Sequence, residues 1–160
     1  ISGVTLVILR EDIIQSSFQS LPSMLDYKIH IKKDSMFNTP PVFCVYAVNE
    51  VLNWLNKLGG LESIESMNNT KAELLYNEID ENKLFRCPVS YEDRSNMNVV
   101  FTFSDQNKND NDFLDFCSKK GLMTLKGHRS VGGFRASIYN AMPIQGVKEL
   151  TKAMREYSKK

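Results

Sequence analysis

The chain has 160 residues, 42% of them hydrophobic, with 20 basic against 19 acidic side chains and a formal net charge of +1. That length can bury one core plus an element or two, and a charge this close to zero argues against nucleic acid or an anionic membrane as partner. No apolar run reaches the ~20 residues that span a bilayer, and Cys44, Cys87 and Cys117, with no C-x-x-C pair, suit thiols in a reducing cytoplasm rather than a disulfide framework or a zinc site.

In chain order, residues 3–9 form an apolar, β-branched run that predicts a buried strand. Arg10-Glu11-Asp12 leads into a short helical piece. Residues 21–39 show no clean period and contain Pro22; so long an irregular stretch is usually functional or interface-forming, and His30 within it reads as a surface or interface residue. Thr39-Pro40-Pro41 predicts a helix start, with Thr39 as N-cap and proline in the first turn. Phe43, Ala47, Val51, Leu55 and Leu58 fall on one face of that helix, which Gly59-Gly60 ends. A second amphipathic helix covers 61–79, with Ile64, Met67, Leu74 and Ile79 inward. Strands are predicted at 84–89 and 97–103, a polar loop at 104–112, and a helix at 113–120 stopped by Gly121. Two more strands, 122–126 and 134–139, are joined through a loop, and Pro143 opens a last helix with Val147, Leu150, Met154 and Tyr157 inward. From Leu61 the order helix, strand, strand, helix, strand, strand, helix predicts an α+β unit with helices on one face of a mostly antiparallel sheet. The boundary falls near Gly59-Gly60, dividing the chain into 1–58 and 59–160.

The stretch richest in chemistry is Gly127-His128-Arg129-Ser130-Val131-Gly132-Gly133-Phe134-Arg135, running into Ala136-Ser137-Ile138-Tyr139-Asn140-Ala141. A guanidinium presents a planar fork of donors that fits carboxylate or phosphate oxygens two at a time. Glycine lets backbone turn or approach a ligand where a Cβ would clash. These residue types suit recognition of a small dianion; the alternative is two arginines that flank a surface turn and pair with Asp or Glu.

Further blocks follow one another along the chain: Leu25-Asp26-Tyr27, Asp34-Ser35-Met36-Phe37-Asn38-Thr39-Pro40-Pro41-Val42-Phe43, Trp54-Leu55, Gly59-Gly60-Leu61-Glu62, Lys71-Ala72-Glu73-Leu74-Leu75-Tyr76, Ser95-Asn96-Met97-Asn98-Val99 and Gly146-Val147-Lys148. With these, the chain resembles the phosphoserine aminotransferase family of class V pyridoxal-phosphate enzymes over nearly its whole length. One departure is Val100, where the family commonly has proline.

The resemblance implies the end of the large domain of a fold-type I pyridoxal-phosphate enzyme (α/β), then a small C-terminal α+β domain. It implies pyridoxal 5'-phosphate as cofactor, L-glutamate and 3-phosphohydroxypyruvate as substrates, and a homodimer with shared active sites. Asn38 and Thr39 resemble the pair that reaches the cofactor phosphate of the other subunit. His128 and Arg129 resemble the residues that receive the substrate phosphate, and Arg135 the clamp for the α-carboxylate. The lysine that forms the Schiff base with the cofactor is expected just before Ile1, so the chain is expected to be a C-terminal segment, inactive alone. Arg129 and Arg135 are six positions apart, roughly 20 Å along an extended strand. Either a turn at Gly132-Gly133 folds them together or they serve different sites of a dimer, and the second reading is favoured. Two rivals are a cysteine desulfurase, which needs a nucleophilic cysteine on a mobile loop, and a structural or dimerisation module; all three cysteines fall inside predicted elements.

Overall fold

The opening apolar run does not become a strand. Residues 4–10 are irregular and exposed, Leu6 at 85% and Ile8 at 87%, and no β-ladder among the described residues includes them. β-branched residues fit a pleated sheet, but a strand is stabilised only by the neighbour it pairs and packs with. The computed structural model describes residues 3–16, 21–105 and 107–160 and divides into two units, Ile1–Lys57 and Leu58–Lys160.

In the first unit, α1 (Glu11–Ser16) has an exposed ion pair at its start, Arg10 with Asp12 at 2.7 Å. The stretch predicted as irregular contains a 3₁₀ turn, Ser23–Leu25, and a helix, α2 (Tyr27–Lys32), whose first turn is capped by Asp26 accepting from the Lys28 N–H at 2.9 Å. Six residues are too few for a period to register, so only the cap could have signalled it. The next helix, α3 (Val42–Lys57), begins later than predicted, and Thr39 is not its N-cap. A residue before proline is pushed out of the α region; this holds for Thr39 before Pro40 and for Pro40 before Pro41. The first helical hydrogen bond runs from the Val45 N–H to the Pro41 carbonyl, at 3.1 Å. No residue of α3 is buried: the predicted face leaves Phe43 and Val51 exposed and Ala47 and Leu55 half-buried.

The second unit holds the core. Gly59 and Gly60, at φ 103° and 75°, make the left-handed turn into α4 (Gly60–Glu81), a conformation that favours glycine. This helix buries Ile64, Lys71, Ala72, Leu75, Tyr76 and Ile79; of the residues predicted inward, Leu74 is half-buried and Met67 exposed. Strand β1 (Phe85–Arg86) is shorter than the predicted 84–89, because Pro88 has no N–H for a ladder. Strand β2 (Asn98–Phe103) turns Val99, Phe101 and Phe103 inward. Helix α5 (Asp110–Ser118) starts inside the predicted polar loop, with Asn109 accepting from the Asn111 N–H at 3.1 Å; Gln106 of that loop lies outside the described residues.

The predicted strand at 122–126 reduces to one bridge, Lys126 opposite Phe134. Thr124 at φ 61° breaks the extended path. Strand β3 (Phe134–Ser137) pairs antiparallel with β2, Phe101 opposite Phe134 and Val100 opposite Arg135, giving the order β1-β2-β3. Helix α6 (Ile144–Tyr157) opens after Pro143 and buries Val147, Leu150 and Met154. Phe85, Phe101, Phe103, Phe113 and Phe134 form one aromatic cluster, with the Phe113 and Phe134 centroids 4.9 Å apart. Each such ring contributes about 1.5–3 kcal/mol by leaving water.

Candidate functional site

The His-Arg-Gly-Gly segment is a closed loop, not an extended strand. The Gly127 N–H donates to the Gly133 carbonyl at 2.8 Å, and the Val131 and Gly132 N–H groups both return to the His128 carbonyl, at 2.9 and 2.8 Å. Closure demands glycine at both ends. A Cβ on Gly127 would collide with the Gly132 carbonyl, and Gly133, at φ 62°, would drive one to 2.8 Å from the Phe101 carbonyl oxygen. The Gly133 N–H is further held by Asp110 Oδ2 at 3.2 Å. The ~20 Å separation of an extended chain therefore does not apply: His128 and Arg129 sit on the loop, and Arg135 on the strand it feeds.

At the loop, His128 Nδ1 lies 2.7 Å from Ser130 Oγ, which fixes the ring and leaves its other nitrogen for a ligand. Arg129 is exposed and makes no ion pair among the described residues. Along β3, residues alternate. Phe134 and Ala136 enter the core, while Arg135 and Ser137 lie on the opposite face. Arg135 is half-buried, and its Nε is buried with no hydrogen-bond partner among the described residues. A buried guanidinium donor left unpaired costs free energy, and an anion at this position would satisfy it. Beside it, Asn98 Oδ1 accepts from Ser137 Oγ and Tyr139 Oη, both at 3.1 Å. Hydrogen bonding to Ser137, with the nearby Arg135 charge, holds the Tyr139 phenol below its ordinary range. Arg135 lines a cavity of about 240 Å³ whose walls include Ile138, Met142, Val147 and Leu150.

Asn38 and Thr39 belong to the first unit and are both exposed. Their loop is set by a tight turn, Asp34 and Ser35 at φ 49° and 62°, with the Ser35 N–H on the His30 carbonyl at 2.9 Å. His30 Nε2 meets the Met24 carbonyl at 3.2 Å and its ring meets Phe37 edge-on, while Asn38 Nδ2 donates to Met24 Sδ. The donor set presented here, an amide and a hydroxyl, suits a phosphate. Pro40 and Pro41 bring no N–H to it.

Sequence reasoning passed over the residues that hold the end of β3. Lys71 is 2% exposed, and its ammonium donates to the carbonyls of Ile138, Tyr139 and Met142 at 3.0, 2.7 and 3.1 Å; burial pushes its pKa down. Asn68 Nδ2 donates to Asn140 Oδ1 at 2.8 Å. The available signal was phase: positions 64, 68, 71 and 75 share a helical face with Lys71 among apolar neighbours. Cys117 is fully buried, which pushes its thiol up to about 12, the opposite of an activated nucleophile. Cys87 lies one residue beyond β1, half-buried, rather than inside a strand. No helix among the described residues is long and apolar enough to cross a membrane.

The sequence model of the aminotransferase class-V family matches residues 1–150. The chain is similar to phosphoserine aminotransferases of Azobacteroides pseudotrichonymphae, 52% identical over 159 residues that cover 99% of this chain and 44% of the relative, and of Flavobacterium psychrophilum, 50% identical over 160 residues with 99% and 44% covered. It is similar in structure to phosphoserine aminotransferase from Bacillus circulans subsp. alkalophilus, with a TM-score of 0.87 at 41% identity, over 94% of this chain and 42% of that one. The pyridoxal-phosphate-bound enzyme from Trichomonas vaginalis gives 0.84 at 40%, over 92% and 42%. The chain thus spans less than half the length of the curated relatives it matches. These likenesses carry the expected fold class, that of a fold-type I pyridoxal-phosphate enzyme, within which the small antiparallel sheet and its helices are the α+β part. Matched by the family's model over 150 of its residues, the chain belongs to the class V aminotransferases.

Proposed function

We propose that the protein transfers an amino group between L-glutamate and 3-phosphohydroxypyruvate, giving O-phospho-L-serine and 2-oxoglutarate in serine biosynthesis. In this reading it is a cytoplasmic homodimer with shared active sites, using pyridoxal 5'-phosphate. The observation that carries the proposal is the unpaired, buried Nε of Arg135 on a strand fed directly by the His128–Arg129 loop. One guanidinium fork backed by the core, with an exposed guanidinium and an exposed imidazole on the loop, suits a ligand with an anion at each end. Glutamate and 3-phosphohydroxypyruvate are both of that kind.

The chain's residues divide the work as follows. Arg135 holds the α-carboxylate in a two-point grip, and a fixed carboxylate orients the α-carbon. His128 and Arg129 take the distal group, and their donors accept either phosphate or carboxylate oxygens. Asn38 and Thr39 hold the cofactor's phosphate. When bound, pyridoxal phosphate supplies the electron sink for bond breaking at the α-carbon. The Cys117 thiol, buried and shifted up, gives no support to the desulfurase alternative.

The test is the full-length protein supplied with cofactor, glutamate and 3-phosphohydroxypyruvate, followed by release of 2-oxoglutarate. Turnover is expected; its absence, with sulfur released from cysteine instead, would overturn the reading in favour of the rival. Site sharing has a separate signature. A heterodimer with Arg129→Ala on one subunit and Arg135→Ala on the other gathers both lesions in one site if the two arginines serve different sites. Activity near half of wild type supports that arrangement, and near-complete loss overturns it.

A further inference from the structure

We infer that Lys71 is a positioning residue for the Arg135 pocket: it fixes the turn at 138–142 that forms the wall beside the guanidinium, without itself touching substrate. The inference rests on the reading of Arg135 as the carboxylate clamp.

Lys71 sits on α4 among core residues, and no carboxylate pairs with it among the described residues. An ammonium has three N–H donors, and all three are spent on backbone carbonyls of one short segment. Burying a charge this way is costly, and an apolar side chain of similar volume would serve packing at least as well. The arrangement makes sense as a position-setter. The three carbonyls come from both ends of a turn closed by the Met142 N–H on the Tyr139 carbonyl at 2.9 Å. At its start the Ile138 N–H still bonds to the Met97 carbonyl, at 2.9 Å; beyond it the chain leaves the sheet.

That turn forms part of the pocket. Ile138 and Met142, two of the three residues whose carbonyls Lys71 holds, line the same cavity as Arg135. Met142 is seated closely over α6, since a Cβ built on Gly146 would lie 2.8 Å from its sulfur. Asn68 and Asn98 tie the turn and its approach from α4 and β2, through Asn140 and Tyr139. Releasing the carbonyls therefore moves the wall that faces a ligand gripped by Arg135, whereas none of these hydrogen bonds involves Asn38 or Thr39.

The experiment compares Lys71→Met, Lys71→Gln and Arg135→Ala in the full-length, cofactor-loaded protein. It reads KM and kcat for both substrates, calorimetric Kd for 2-oxoglutarate, cofactor affinity and thermal melting. The Lys71 variants should raise KM and the 2-oxoglutarate Kd on the order of tenfold or more, as expected for a displaced binding wall, while cofactor affinity stays at the wild-type value. Lys71→Gln, which keeps two donors, should fall between wild type and Lys71→Met. If a folded Lys71 variant binds 2-oxoglutarate as tightly as wild type while Arg135→Ala does not, the inference is overturned and the clamp stands. If Arg135→Ala leaves both KM and Kd unchanged, the clamp reading itself is wrong. Failure of both Lys71 variants to fold also overturns the inference, because the ammonium would then be a stability element alone.

Discussion

Helices α3 and α6 carry the same kind of sequence pattern and meet different fates. Both follow proline and both present an apolar face at helical spacing. On α6 that face, Val147, Leu150 and Met154, is buried in the same core as the aromatic rings; on α3 the corresponding face leaves Phe43 and Val51 in the open. An apolar period states what a helix is able to bury, and only the neighbouring elements decide whether it does. The second unit supplies those neighbours within itself, and the residues proposed above to bind anions hang from that core. Arg135 alternates with Phe134 and Ala136, so the packing of one face of β3 orients the guanidinium on the other.

The comparison can be broken by substitution. Phe134→Ala should cost about 3–5 kcal/mol of stability, as a core ring lost from a close-packed cluster, and equilibrium denaturation with urea would measure it. Asn38→Ala, exposed in a unit with no buried residue among those described, should leave stability nearly unchanged. It should weaken retention of pyridoxal phosphate in the full-length protein by about 1.5–3 kcal/mol, the worth of a hydrogen bond to a charged group; an unchanged cofactor dissociation constant would reduce Asn38 to a loop residue.

Cys117 offers a pH signature of the same core. Its thiol is raised to about 12 in the folded chain, against about 8.5 when unfolded. Between those values the unfolded chain gives up this proton and the folded chain keeps it. Stability should then fall as pH rises above about 9, by about 1.4 kcal/mol per pH unit from this group. Cys117→Ala should flatten that part of the wild-type profile; equal slopes would show that the thiol is not held protonated. The smallest effect belongs to α3: Phe43→Ala should change the stability of the 160-residue chain by less than about 0.5 kcal/mol. A loss comparable to that of Phe134→Ala would mean that the face is covered after all.

Much of the second unit was readable from its residues. Alternation over Val99, Phe101 and Phe103 marks β2, and Pro143 with the 147, 150, 154 spacing marks α6. What escaped was whatever depends on a partner or on one dihedral angle. Thr124 in the left-handed region cuts a predicted strand down to a bridge, and no residue type in 122–126 announces it. Asn109 hid a helix start inside a polar run, because Asn, Asp and Ser serve loops and caps alike. At the site, the arginines and glycines are conspicuous as letters, yet loop closure through Gly127 and Gly133 depends on backbone hydrogen bonds that no residue type announces. Lys71 was least legible, since a lysine in an amphipathic helix ordinarily reads as solvated.

The most direct test of the account is a comparison of kcat/KM for Arg129→Ala and Arg135→Ala in the full-length protein, with 3-phosphohydroxypyruvate and with pyruvate, a keto acid that lacks a distal anion. Arg135→Ala should lower both values by a similar factor, about tenfold to a hundredfold for one charge-assisted contact. Arg129→Ala should lower the value for the phosphorylated substrate by much more than the value for pyruvate. Equal losses on the two substrates in Arg129→Ala, or an Arg135→Ala protein that spares either one, would contradict the assignment of the loop to the distal anion and the strand to the carboxylate.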